Sequence, residues 1–127
     1  MAVTLSTIAD PLGSKLILDT DSDATAEANV TGGTGSFYAV EIDNTANTTA
    51  TYVKIADASS GTAGTTQNDW QFYAPASTKL TYIVGTGMAF STALTVWAVT
   101  SAAALTGSNA AAATSPTSSV PIKILST

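Results

Sequence analysis

Apolar and polar positions in "SFYAVEID", residues 36–43, alternate with a period of two. Tyr38, Val40 and Ile42 fall on one face, and Phe37, Ala39, Glu41 and Asp43 on the other, as in a strand with one covered side. "TYVKIAD", residues 51–57, reads the same way, with Val53 and Ile55 on one face and Tyr52 and Lys54 on the other. The intervening "NTANTTA" is rich in turn-forming residues, so the two segments are expected to pair as adjacent antiparallel strands. Short apolar runs predict further strands at 15–18, 70–73, 79–84, 94–99 and 120–125, with a shorter piece around 88–90, roughly eight in all.

The separators "TGGTGS", "ASSGTAGTTQND", "APAST", "GTG" and "ALTGSNAAAATSPTSS" are built from Gly, Pro, Ser, Asn, Thr and Ala. Short strands with turn signals at this spacing predict an all-β domain, a jelly-roll-like β-sandwich over residues 15–127 preceded by an extended amino-terminal arm, residues 1–14. The run 94–99 carries Leu94, Val96 and Ala98 on one face and Thr95, Trp97 and Val99 on the other, which predicts a central strand covered on both sides. Trp97 then packs either beneath a long loop of its own chain or against a neighbouring subunit. The alanine-rich stretch admits one or two helical turns, at 102–105 or 110–114, before Gly107 and Pro116 limit their length.

Composition narrows the function. The 127 residues fit one domain, with no Cys to staple it, so its stability rests on apolar burial and sheet pairing. Four Lys, no Arg and nine acidic residues give a net charge of -5, which argues against nucleic acid as a partner. The 23 Thr and 14 Ser supply hydroxyls that suit the wet face of a sheet. The apolar stretch "GMAFSTALTVWAVTSAAA" holds too many hydroxyls for a membrane span, and the amino terminus has neither a basic nor an unbroken apolar segment of the kind that directs secretion.

Reactive chemistry is sparse. Asp19, Asp21 and Asp23 recur at the spacing that opens an EF-hand loop, but the sixth and twelfth positions hold Ala24 and Val30 where that loop needs Gly and Glu. The three aspartates remain an oxygen-ligand calcium candidate, set against a solvated acidic loop. "TGGTGS" lacks the Lys and the following helix of a phosphate cradle and reads as a turn. With no His, Cys or Arg, the common bases, thiol nucleophiles and oxyanion clamps are missing, so an enzyme is not expected. A carboxylate pair at Asp57 and Asp69, next to Trp70, Phe72 and Tyr73, is the one arrangement that suggests glycoside chemistry. Trp70, Tyr73 and Tyr82 would alternatively serve a carbohydrate-binding module as sugar platforms.

From residue 37 to about 107, and again at 120–125, the chain resembles small β-sandwich structural proteins of tailed bacteriophages, most of all capsid decoration or cement proteins. The resemblance is carried by a strand ending in Asn before a turn (Ile42 to Asn44), "YVKI" at 52–55, and the loop "SGTAGTT". It continues with Pro75-Ala76 and a Gly87-x-x-Phe90 step into a long apolar strand. The chain departs from the pattern at Ala93-Leu94 and at its Leu125-Ser126-Thr127 close. The resemblance implies a virion component without cofactor on the outer surface of a capsid, bound to the major capsid protein as a homo-oligomer, with a trimer at local three-fold positions expected. A tail, neck or baseplate position is the alternative. Leu5, Ile8, Trp70, Tyr73 and Trp97 are the apolar candidates for such contacts.

Overall fold

The computed structural model describes residues 14–102 and 110–127; most of the expected arm, including Leu5 and Ile8, lies outside the described residues. Seven strands form among them: β1 (Lys15–Ser22), β2 (Gly35–Asp43), β3 (Thr51–Asp57), β4 (Trp70–Ala74), β5 (Lys79–Phe90), β6 (Leu94–Val99) and β7 (Val120–Ser126). They build two antiparallel sheets, β1-β7-β2-β5 and β4-β3-β6, in a sandwich-like arrangement. One 3-10 turn, Ala110–Ala113, lies in the second of the two alanine-rich stretches where helical turns were expected.

The count is seven rather than eight because the piece around Met88 is the far half of β5, not a strand of its own. Phe37 pairs with Met88 and Ala39 with Ile83, so β5 runs residues 84–87 past the single residue Tyr38. Gly87 makes that excursion feasible. Its φ is +78°, and a Cβ there would lie 2.7 Å from Cε1 of Tyr38. The same irregularity shifts the phase of β2. Phe37 turns inward with Val40 and Ile42, all three fully buried, whereas simple alternation assigned Tyr38 to that face.

The expected hairpin between 36–43 and 51–57 does not form. β2 lies in one sheet and β3 in the other, and the 44–50 turn carries the chain across the sandwich. Between the sheets, Phe37, Val40 and Ile42 meet Val53, Ile55 and Val96 in one core. Trp70 and Phe72 stand edge-on to Phe37, with ring centroids 5.1 and 6.1 Å away. On the open side between β5 and β4, the Tyr82 hydroxyl donates to the Tyr73 carbonyl and ties the two sheets together.

The crossing is held by two buried asparagines. Asn44 Nδ2 shares its two N–H groups among the carbonyls of Thr49 (3.1 Å), Ala74 (3.2 Å) and Pro75 (2.9 Å). Its Oδ1 accepts from Asn47 Nδ2 and Thr51 Oγ1, both at 2.9 Å. Asn47 in turn clasps Ser118, donating to its carbonyl at 2.9 Å and accepting from its amide at 2.8 Å. Three chain segments, the β2–β3 crossing, the β4–β5 turn and the approach to β7, are thereby joined through side-chain amides. No apolar residue can satisfy those carbonyls.

β6 is an edge strand in its sheet, not the central strand its two apolar faces suggested. Its outer edge is nevertheless sealed by its own chain. The amides of Leu94, Val96, Ala98 and Thr100 donate to Thr31 Oγ1, Glu27 O, Asp23 O and Thr114 O, at 3.0, 3.0, 2.7 and 3.0 Å. The outer face of β6 is covered as well. Trp97, 1% exposed, packs with Ala56, Ala63 and Val99 beneath Ala24, Ala26, Ala58 and Ala113. Of the two environments expected for Trp97, the intrachain loop is therefore the one observed, and the ring presents nothing to a partner.

Truncating Asn44 to Ala removes the amide shared among three carbonyls and the oxygen that accepts from Asn47 and Thr51, and is expected to cost about 2–4 kcal/mol in chemical denaturation. Trp97→Ala leaves a cavity between sheet and loops and is expected to cost roughly 3–5 kcal/mol by the same measurement. A loss under about 1 kcal/mol for either would refute the role assigned to it.

Candidate functional site

The outer face of the β1-β7-β2-β5 sheet carries side chains in rows set by strand register. Leu16 lies opposite Leu125, Leu125 opposite Ala39, and Ala39 opposite Ile83, so one apolar row crosses all four strands. At about 4.8 Å per strand the row is roughly 14 Å long. Its ends are the most open: Leu16 is 68% and Ile83 80% exposed. The next row, Leu18, Lys123, Glu41 and Thr81, is mostly polar. There Glu41 sits between Lys123 (3.6 Å) and Lys79 (3.5 Å), ion pairs exposed enough to stabilise the fold by less than about 1 kcal/mol. The face thus offers a strip of adhesive apolar surface beside a mixed-charge border and no reactive group.

The carboxylates singled out by sequence serve the backbone. Asp57 accepts from the amides of Ser91 and Thr92, each at 2.8 Å, and from the Ser91 hydroxyl at 3.0 Å, which fixes the turn between β5 and β6. These bonds, that from the Ser91 amide foremost, hold its pKa below the usual carboxylate range. Asp69 Oδ2 accepts from the Asp57 amide at 2.7 Å. A general acid needs a raised pKa, and Asp57 is shifted the opposite way.

Asp19, Asp21 and Asp23 do not converge. Asp19 Oδ1 accepts from the Asp21 amide at 3.2 Å, while Asp23 Oδ1 accepts from the Thr25 amide at 2.6 Å as a local turn cap. Among the described residues no group of three acidic side chains is placed to hold a metal ion. Asp19 is nonetheless unusual: among the described residues its buried Oδ2 has no hydrogen-bond partner, and desolvation raises its pKa. It lines a groove of about 240 Å³ at the β1 edge, together with Ile17, Asp21, Glu27 and Val30. The glycine-rich "TGGTGS" is a turn into β2, pinned by Thr31 Oγ1 donating to Gly33 O at 3.0 Å and Thr34 Oγ1 donating to Phe90 O at 2.7 Å.

The aromatic candidates are dispersed. Trp70 and Tyr82 point into the core side of the sandwich, whereas Tyr73, 46% exposed, lies on the outer face of the β4-β3-β6 sheet against Tyr52, with ring centroids 5.4 Å apart. No shared platform for a sugar ring results from the three. Lys54, expected on an outward face, is on that face but buried beside Trp97, and desolvation lowers its pKa. Leu16, Ala39, Ile83 and Leu125 were not singled out by sequence. They come from four strands and become neighbours only through register; the alternation in "KLIL" and "IKIL" was the available signal.

Because the Asp57 pKa is lowered in the folded chain, its stabilising effect is present above the ordinary carboxylate pKa of 3.8 and fades as pH falls through the lower folded value. Asp57→Asn is therefore expected to lower Tm at pH 7 and to flatten the acid limb of the Tm against pH curve. An unchanged acid limb in the variant would contradict the capping role.

Comparison with protein-family models, with curated proteins and with solved structures gives no match, so function is argued from this surface and not from kinship.

Proposed function

We propose that the protein is a non-enzymatic assembly subunit that coats and stabilises a larger protein shell, in the manner of a phage capsid decoration protein. The observation that supports this reading is the apolar row Leu16–Leu125–Ala39–Ile83, which crosses four strands of an otherwise hydroxyl-rich and charge-poor chain. A strip of this kind adheres to a complementary protein surface without needing a reactive group, and many weakly bound copies on one shell hold by avidity. The polar clusters are consistent with it, since the Asn44, Asp57 and Asp69 side chains are used inside the fold. The major capsid protein is the partner this role implies. A tail or neck position would use the same face. The sugar-binding alternative loses support from the inward direction of Trp70.

The test is gold-antibody labelling of intact particles from the culture that produces this chain, followed by binding of purified protein to stripped shells. Label spread over heads is the expected result; label at one vertex or along tails would transfer the role to neck or tail, and accessible virions without label would overturn the reading. Ile83→Asp should leave Tm nearly unchanged, because the side chain is 80% exposed, and should weaken shell binding at least tenfold. Undiminished binding would remove the strip from the account.

A further inference from the structure

β1 ends the four-stranded sheet, and among the described residues no backbone group bonds to its outer edge, unlike that of β6; its Leu16 and Leu18 are 68% and 57% exposed. An edge strand of this length with apolar side chains is a template for another strand. The β1 sequence also indicates which strand fits. In "KLILD", residues 15–19, the pattern reads as its own complement about Ile17: a cation and an acid stand two places either side, and a leucine stands one place either side.

We propose that a second copy of this chain pairs with the first along β1, antiparallel and about a two-fold axis through Ile17. This register sets Leu16 against Leu18 of the partner copy on the outer face, and Lys15 against Asp19 of the partner copy on the inner face, each contact occurring twice. Backbone groups left open at the edge of each β1 bond to the other copy, and two four-stranded sheets become one of eight strands. Two observations on the inner face support the choice of occupant. Among the described residues the buried Asp19 Oδ2 has no hydrogen-bond partner, and Asp19 lines the groove at this edge. The other acids of that groove, Asp21 and Glu27, make it complementary to an incoming ammonium. Lys15 already lies on that side, donating to the Thr31 carbonyl at 2.8 Å, and its ammonium has two further donors to offer. The pairing also extends each apolar row by one leucine, Leu18 of the partner copy, beyond which the polar row through Lys123 and Glu41 begins, and it does so whatever surface the protein coats.

Sedimentation equilibrium of the full chain over a dilution series should show a monomer–dimer equilibrium of the 12.7 kDa chain. Lys15→Asp places two carboxylates opposite one another at each contact and should weaken the dimer at least tenfold, as should Asp19→Lys. The double variant Lys15→Asp/Asp19→Lys restores opposite charges and should recover the dimer. In a chain without Cys, Ile17→Cys should give a disulfide-linked dimer on mild oxidation, whereas Ile83→Cys at the far edge should not. Circular dichroism of each variant confirms that the monomer is folded. A monomer at every concentration up to about 1 mM, a trimer, or a dimer indifferent to both charge reversals would overturn the proposal.

Discussion

The sandwich depends on how the chain changes sheet at Asn44. A crossing between two layers leaves backbone carbonyls at the corner that belong to neither sheet, and each must find a donor or lose its share of hydrogen bonding. One buried amide here shares its two N–H groups among three of those carbonyls while its own oxygen takes two donors, and Asn47 extends the arrangement to Ser118. Because the segments tied together lead into β3, β5 and β7, the corner fixes which strand enters which sheet. Apolar packing between the sheets is larger in energy but less selective, since a slipped or hairpin-paired arrangement would also bury Val40, Ile42, Val53 and Ile55.

The two sheets are treated differently outside the core. The β4-β3-β6 sheet is roofed by loops over Trp97, and the edge of β6 is sealed by residues 23–31 and 114. Among the described residues nothing comparable covers the outer face of the β1-β7-β2-β5 sheet or the outer edge of β1. This asymmetry places most of the exposed aliphatic surface on one layer, with Tyr73 the exposed large apolar residue on the other. It also separates stability from contact: the residues that hold the fold are buried asparagines and Trp97, and those free to touch something else are leucines and an isoleucine whose exposure the fold does not require.

Much of this was legible in the chain. Alternation and short apolar runs located the seven strands, though the far half of β5 was read as an eighth, and the scarcity of reactive residue types directed attention away from catalysis. Three features were misread for identifiable reasons. Turn-rich "NTANTTA" resembles a hairpin loop, and only the buried position of Asn44 and Asn47 reveals that it crosses between layers. "GTG" resembles a turn but is an excursion within β5, opposite Tyr38, which also brings Phe37 inward. Both faces of β6 are apolar, yet the second cover is loop, which local periodicity cannot distinguish from another sheet or subunit. The apolar row was the least legible feature, because its members are far apart in sequence and register alone unites them.

Native-state hydrogen exchange tests the central claim most directly. If the Asn44 corner holds the layers, the amides of Asn44, Asn47, Ser77 and Ser118, all hydrogen-bonded there, should exchange as slowly as those of Val96 in β6 and Ile124 in β7, opening only when the whole domain unfolds. Fast exchange at the corner, with β6 and β7 still protected, would show that it opens locally and that the sheets keep their arrangement without it.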